Sequence, residues 1–481
     1  MLFNSFSFAL FLPVVFILYW FVMQRRLRAQ NILLLVASYF FYACWDWRFL
    51  FLLLFSTALD YFAGLQIARS EQKRSRTFWL WLSIGINLGF LGVFKYYNFF
   101  AENMMALLQC FGLRSNPALI KVILPVGISF YTFHGLSYII DIYQKRINAE
   151  KSFVDYAVFV SFFPLLVAGP IERATHLLPQ IKRKRTFDYA TAADGCRQIL
   201  WGLFKKIVIA DNCAELANEI FNYSTAYNGS TLWLGALFFT FQIYGDFSGY
   251  SDIALGTAKL FGIDLLRNFA YPYFSRDIAE FWRRWHISLS SWFRDYVYIP
   301  LGGSKVPAWK RIRNTFIIFL LSGFWHGAQW TFIAWGALNA LYFLPLLLLK
   351  RNRSNMEIVA ADRRFPNLKE ILSIGITFTL TVIAWVFFRA DNMTKAWAYL
   401  KGMCSPSVLQ RPDLPGLARA ATALLLIMIM VLIEWNGRRH TFPLAGLKKR
   451  SYAFQYFIYI LFILTIFLWA GTPQQFIYFQ F

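Results

Sequence analysis

The stretch from Asn314 to Lys350 reads NTFIIFLLSGFWHGAQWTFIAWGALNALYFLPLLLLK, and it decides the fold class. Apart from His326, it carries no acidic or basic residue before its final lysine. One helix of this length, at about 1.5 Å per residue, would exceed a hydrocarbon core about 30 Å thick. We therefore predict a break between Gly323 and Gly327, because closely spaced glycines weaken a helix. The limb before it, about twelve residues long, crosses about half the bilayer, which predicts a mid-depth, cavity-lining His326.

Similar apolar stretches recur along all 481 residues, of which 58% are hydrophobic and 20% aromatic. One soluble core cannot bury so much apolar surface, so lipid must cover part of it. We predict an all-α polytopic membrane protein with about 11 to 13 crossings. The remaining predicted spans are 5–23, 31–45, 49–67, 78–97, 98–112, 119–142, 153–170, 196–217, 231–262, 369–388, 417–435 and 452–471.

The formal net charge of +23 comes from lysines and arginines that cluster between the apolar spans. This pattern favours positive-inside orientation over nucleic-acid binding. Basic surfaces that also attract anionic lipid, an acidic carrier protein or a phosphorylated donor remain an alternative. The five cysteines form no CxxC pair, so neither a disulfide framework nor a metal site is predicted. The apolar start, Leu2 to Met23, predicts a retained first helix.

A second informative stretch, residues 281–303, reads FWRRWHISLSSWFRDYVYIPLGG. It mixes aromatic residues with several charged ones and is too polar to cross lipid. We predict an amphipathic helix that lies at the cytosolic face of the membrane or dips into it. Its charged and titratable residues are Arg283, Arg284, His286, Arg294 and Asp295.

Histidines are the strongest candidates for chemistry. His326, flanked by Trp325 and Gly327, is suited to act as a general base because its ordinary pKa lies near neutrality. The alternative is a core histidine bonded to a neighbouring carbonyl. His286 could approach the same site, or it could anchor its helix at the headgroups. The other histidines favour structural roles: His134, His176 and His440.

Carboxylates inside apolar spans form a second set. Asp246 and Asp252 lie in FQIYGDFSGYSDIALG, a stretch of small and polar residues that suits close helix packing. They are predicted to support packing or the site, with direct catalysis as the alternative. Asp60 and Asp141 lie in other spans and could orient histidines or balance arginines. No GxSxG elbow, phosphate-binding loop or dinucleotide fingerprint is present, so hydrolase, ATPase and redox functions lack support.

Two of these stretches, FWRRWHISLSSWFRDYVYIPLGGS and LSGFWHGAQWTFIAWG, closely resemble the membrane-bound O-acyltransferase family. His326 matches the family's catalytic histidine and His286 its second characteristic histidine. MLFNSFSFALFLPVVFILYW, FVSFFPLLVAGPIER, YGDFSGYSDIALG and AWVFFRA resemble the family's bacterial alginate O-acetylase branch. That branch is similar to the membrane subunits of peptidoglycan O-acetyltransferases. One departure is Asn339, where many relatives carry a further histidine.

The resemblance implies a ring of membrane helices, with re-entrant and amphipathic helices around a central channel, in the bacterial inner membrane. It implies one domain, 1–481, with N-terminal helices (1–170), a catalytic core (171–350) and C-terminal helices (351–481). No bound cofactor is expected. The implied donor is acetyl-CoA or an acyl carrier protein, and the partner is a periplasmic SGNH-hydrolase-like acetyltransferase. The implied product is an O-acetylated exported or cell-wall polysaccharide.

Within that resemblance, His326 would take a proton from an acceptor hydroxyl or carry the acyl group itself. His286 would position the donor or assist proton transfer, and Arg283 with Arg284 could attract phosphates or an acidic carrier. Trp325, Asp295, Asp246 and Asp252 would support this site. Alternatives are D-alanyl transfer to teichoic acid, a non-enzymatic polysaccharide or lipid exporter, and a scaffold that recruits the acetylation machinery.

Overall fold

The computed structural model describes residues 1–113, 119, 124–167, 169–414 and 416–477. These residues form α-helices joined by loops and short 3₁₀ or π turns, and they contain no β-strand. The α-helices are α1 Phe6–Ile17, α2 Leu27–Ala43, α3 Leu50–Arg69, α4 Lys73–Leu91, α5 Tyr97–Cys110, α6 Ile128–Tyr143, α7 Phe153–Ser161, α8 Phe163–Leu166, α9 Ala174–Lys182, α10 Tyr189–Leu203, α11 Asp211–Asn222, α12 Gly229–Leu260, α13 Ile278–Arg284, α14 Ile287–Phe293, α15 Ala308–His326, α16 Trp330–Leu348, α17 Leu368–Arg389, α18 Met393–Met403, α19 Leu417–Gly437 and α20 Tyr452–Leu468.

The predicted all-helical membrane protein is confirmed. Within the described ranges, five helical runs are long and apolar enough to cross a bilayer. The number of crossings, about 11 to 13 by the sequence, stays a prediction. The runs are Trp47–Arg69, Lys73–Cys110, Trp330–Leu348, Leu368–Arg389 and Leu417–Gly437, and shorter apolar helices cover Phe6–Val22 and Tyr452–Leu468.

Three of these predicted spans differ from the structure. Spans 78–97 and 98–112 form one continuous helical run, because a π turn at Gly92–Tyr96 joins α4 to α5 without a break. Span 153–170 is instead two short helices, α7 and α8, with Phe162 non-helical and Pro164 in the first turn of α8. Ala168, in the same stretch, and residues 120–123 of predicted span 119–142 lie outside the described residues.

The chain separates into two compact units, whose limits differ from the predicted subdivisions at 170 and 350. The first unit comprises Met1–Gly195 and Ala254–Leu266, and the second comprises Cys196–Ile253 and Arg267–Phe481. Whether they form a single functional domain stays a prediction.

Buried Asp60 connects three helices of the first unit. Its Oδ1 atom, on α3, accepts hydrogen bonds from Ser83 Oγ at 2.6 Å and Asn87 Nδ2 at 2.8 Å, both on α4. Its Oδ2 atom occupies the space where a side chain at Gly135 of α6 would lie. Asp60 therefore serves helix packing and does not orient a histidine.

In the second unit, α15 and α16 form a tight antiparallel hairpin. A Cβ atom at Gly323 would overlap the carbonyl oxygen of Phe332, and one at Gly336 would overlap that of Phe319. The paired residue numbers rise on one helix and fall on the other, which defines the antiparallel arrangement. Glycine is needed at both positions because the two backbones touch.

The predicted break is confirmed, but its position and the length of its first limb differ from expectation. Helix α15 continues through Gly323 and ends at His326, and α16 begins at Trp330. The first limb has 19 residues, because it extends back through a basic stretch to Ala308. The prediction of a half-length limb is therefore wrong, and the mid-depth position of His326 loses that support.

We expect Gly323→Ala to lower the stability of the protein, because the new methyl group forces the hairpin helices apart. A cost of about 1–3 kcal/mol is typical of such overpacking. Thermal unfolding in detergent would measure it. Gly375→Ala is the matched control, because Gly375 lies on α17 with open space around its Cα. Equal melting temperatures for the two variants would contradict the close contact.

The predicted amphipathic helix at 281–303 is wrong as a single element. The segment forms the end of α13, then α14, and a π turn at Arg294–Tyr298. The chain bends between the helices, where His286 has left-handed backbone angles. Phe281, Trp285 and His286 are buried, whereas Arg294 and Ile299 are exposed, so the first part of this segment packs into the second unit and its end lies at the surface.

Candidate active site

His326 lies at the tip of the α15–α16 hairpin, as the last residue of α15. Its side chain is 3% exposed. Gly327 follows with extended backbone and donates its N–H to the Gly323 carbonyl at 3.3 Å. A side chain at Gly327 would overlap the ring of Phe332, so glycine allows the chain to turn tightly after His326.

His286 lies in the bend between α13 and α14, and it is 1% exposed. Its φ of 43° and ψ of 54° are uncommon for a residue with a side chain, and such strain clusters at functional sites. Neither ring nitrogen has a hydrogen-bond partner among the described residues. Burial lowers the pKa of His286 to about 3, so its ring is neutral at physiological pH. The alternative of a headgroup anchor does not fit so buried a ring.

The structure brings His286, Trp325 and His326 together. The two imidazole centroids lie 6.4 Å apart, and the Trp325 ring lies 5.8 Å from His286 and 4.9 Å from His326. Trp335 and Phe388 each approach the His326 ring at 5.2 Å. The two imidazoles therefore lie together inside an aromatic enclosure, which limits access of water.

The two predicted donor-binding arginines, Arg283 and Arg284, bind protein atoms. Arg283 donates to the carbonyls of Asn352 and Asn355, both at 2.8 Å. Arg284 forms an ion pair with buried Glu280 at 2.7 Å. These contacts hold α13 in place, and donor binding by either arginine stays a prediction.

The three predicted carboxylates lie in ion pairs. Asp295 accepts from Arg294 Nε at 2.8 Å and is partly exposed. Asp246 Oδ1 lies 2.8 Å from Lys206 Nζ, and Asp252 Oδ2 lies 2.6 Å from Lys205 Nζ. Their roles at the site stay predictions, and the ion pairs fit the packing and supporting role more closely than direct catalysis.

Lys205 and Lys206 were missed by the sequence analysis. They lie buried on a π-helical turn, Phe204–Ala210, between α10 and α11. The signal was present, because two adjacent lysines inside the apolar run WGLFKKIVIA are costly unless each has an acidic partner.

A mostly apolar cavity of about 240 Å³ lies beside the hairpin. Ser322, which lines it, is four residues before His326 and therefore on the same side of α15. Trp282 also lines it and packs 5.6 Å from Trp335, which contacts His326. Arg294 and Arg353 add positive charge to its lining.

The helical runs and the buried histidine pair define a multi-pass membrane protein with a candidate acid–base site. The model of the membrane-bound O-acyltransferase family matches residues 144–388, just over half of the chain. Both histidines lie within this match. The chain belongs to the membrane-bound O-acyltransferase family, and it is an acyltransferase.

Known relatives fall into two groups according to the share of this chain that they match. A probable alginate O-acetylase of Pseudomonas aeruginosa is 43% identical over 420 residues, covering 86% of this chain and 77% of that protein. The peptidoglycan O-acetyltransferase of Helicobacter pylori is 40% identical over 437 residues, covering 84% and 80%. The teichoic acid D-alanyltransferase of Streptococcus thermophilus is 29% identical over 289 residues, covering 55% and 68%.

Proposed function

We propose that this protein transfers an acetyl group from a cytosolic thioester towards an exported or cell-wall polysaccharide, with His326 and His286 as its catalytic residues. The observation that carries the proposal is the convergence of two buried histidines, 6.4 Å apart, from the hairpin tip and the α13–α14 bend. The O-acetylating relatives match more than four fifths of the chain, whereas the D-alanyltransferase matches about half. Acetyl is therefore favoured over D-alanyl.

In the proposed reaction, neutral His326 takes the proton from an acceptor hydroxyl as the oxygen attacks the thioester carbonyl. The carbon–sulfur bond breaks, and the proton passes to the leaving thiolate, giving an ester and a free thiol. His286 remains neutral and contacts the donor carbonyl or the acceptor from the opposite side. The surrounding aromatic rings limit access of water, so hydrolysis of the thioester is suppressed.

The cavity beside the hairpin supplies a place for the donor. Its apolar walls suit an acyl-bearing thiol arm, and Arg294 and Arg353 suit a phosphate group at the end of that arm. Acetyl-CoA and an acyl carrier protein both present this chemistry. Separate assays with acetyl-CoA and with an acetylated carrier protein would show which of the two is the donor.

In this proposal the protein resides in the bacterial inner membrane. The acetyl group leaves on the periplasmic side to an SGNH-hydrolase-like acetyltransferase that modifies the polymer. Family membership favours this enzymatic role over a polysaccharide exporter or a scaffold.

Mass spectrometry of cell-envelope and secreted polysaccharides, with and without this protein, tests the proposed function. Loss of acetyl ester in the deletion strain, restored by the wild-type gene, is the expected result. Loss of D-alanyl ester would instead support the alternative transfer. Unchanged ester content of both kinds would contradict both.

We expect Ile318→Trp, which fills the cavity from α15, to raise the donor KM about tenfold, equivalent to about 1.4 kcal/mol. Steady-state kinetics with acetyl-CoA or an acetylated carrier would measure the change. Ile317→Trp is the matched control, because Ile317 is the adjacent residue on α15 and does not line the cavity. Equal donor KM values for the two variants would exclude this cavity as the donor site.

A further inference from the structure

The segment Trp469–Ile477, which follows α20, lies outside any α-helix, and most of it is exposed or half-buried. Its residues Phe476 and Ile477 are fully buried, although neither belongs to an α-helix. The segment is held mainly through its backbone. The bonds run from Asn212 Nδ2 to the Trp469 carbonyl (2.8 Å), Gly471 N to the Ile207 carbonyl (3.2 Å), Thr472 N to Glu215 Oε1 (2.9 Å), Lys206 Nζ to the Gln474 carbonyl (3.1 Å) and Ile477 N to Asp246 Oδ2 (2.7 Å).

Lys206 is the centre of this arrangement. Its buried ammonium group lies 2.8 Å from both Asp211 and Asp246, and it also donates to Gln474. Asp246 uses its second oxygen to accept the N–H of Ile477. One ammonium group thus joins α11, α12 and the segment. A buried amine between two carboxylates is costly to disrupt, because each remaining charge would be left without compensation.

The segment reaches the candidate site through Phe476. The Phe476 ring packs 4.6 Å from Tyr250 and 6.1 Å from Phe247, both on α12. Phe247 in turn lies 4.7 Å from the His286 ring. No hydrogen bond from a described residue orients the imidazole of His286, so ring packing has to fix its direction.

We propose that the segment Trp469–Ile477, locked by Lys206, positions His286 for acyl transfer through the contact of Phe476 with Phe247. Phe476 and Lys206 are positioning residues, since neither is placed at the reacting atoms. This inference rests on the proposed function of His286. By this inference, a segment that begins more than 80 residues after the end of the family match contributes to the site.

Phe476→Ala in the full-length protein tests the proposal without touching the ion cluster. We expect kcat for acetyl transfer to fall about tenfold with donor KM within twofold, because misplacing a reacting group slows chemistry more than binding. Gln475→Ala, at the exposed neighbouring position, should retain wild-type kinetics. Lys206→Met should lower both the melting temperature and kcat, because it leaves two buried carboxylates without a counter-charge, and Lys206→Arg should recover part of each.

A double substitution separates positioning from general stabilisation. If Phe476 acts through His286, then Phe476→Ala should cause no further loss in a His286→Asn background, since residues that act as one unit are not additive. A full additional tenfold loss in that background would overturn this inference and leave the proposed function intact. A wild-type protein inactive with both donors would overturn both.

Discussion

Replacing His326 with alanine is expected to reduce acetyl transfer by on the order of 10³-fold, the usual contribution of a general base. The side chain lies buried at the hairpin tip, and the structure places the imidazole against Trp325, Trp335 and Phe388. Without it, the acceptor hydroxyl would have to attack the thioester while still protonated. Ester formation by purified protein, with radiolabelled acetyl donor, would measure the loss.

The control for His326→Ala has to separate lost chemistry from lost structure. His440→Ala removes an exposed histidine of the same unit and should retain full activity. Size-exclusion profiles and melting temperatures of both variants should match the wild type within a few degrees. Retention of more than a tenth of the wild-type rate in a folded His326→Ala protein would remove His326 from the catalytic role.

The sequence predicted the hairpin break because the signals for it are local. Glycines flank His326, and no single helix of 37 residues fits one crossing of a bilayer. The length of the first limb could not be predicted in the same way. Lys310, Arg311 and Arg313 mark the end of the apolar run, yet they remain helical in α15. Hydropathy marks where lipid contact ends, whereas helix length also depends on backbone hydrogen bonds that continue beyond it.

The pairing of the histidines was expected only from family resemblance. Residue spacing alone does not show that the bend at His286 lies beside the tip of a hairpin formed forty residues later in the chain. The bend depends on contacts with another part of the chain: Ile287 N donates to the Asn268 carbonyl at 2.9 Å, and Ser288 Oγ donates to Asn268 Oδ1 at 2.6 Å. Local propensity favours a continuous amphipathic helix there, but these tertiary hydrogen bonds stabilise the bend instead.

The role of Lys206 could not be predicted from the sequence. A buried lysine predicts an acidic partner but does not identify it. Asp211 is five residues away and can be guessed, whereas Gln474 is 268 residues away. The segment 469–477 has neither an apolar period nor a charged cluster, and most of the hydrogen bonds that hold it use its backbone atoms, so its side chains do not reveal its position.

His286→Asn is expected to reduce acetyl transfer by about 10²-fold, the lower end of the range for a group that assists proton transfer. Asparagine is the most informative substitution at His286, because it tolerates the left-handed backbone angles of this bend better than most residues with side chains. It removes the imidazole and adds little strain. Alanine would lose activity for two reasons at once, so His286→Ala should be both slower and less stable than His286→Asn.

The pH dependence of His286→Asn provides an independent test. Burial lowers the pKa of His286 to about 3, so the ring stays neutral throughout pH 5 to 8. The ratio of wild-type to His286→Asn rates should therefore be constant across that range, whatever the shape of each profile. A ratio that falls steadily towards pH 5 would mean that His286 becomes protonated there, and would contradict the buried, neutral role. A ratio near one at every pH would leave His286 with a packing function alone and His326 as the sole catalytic histidine.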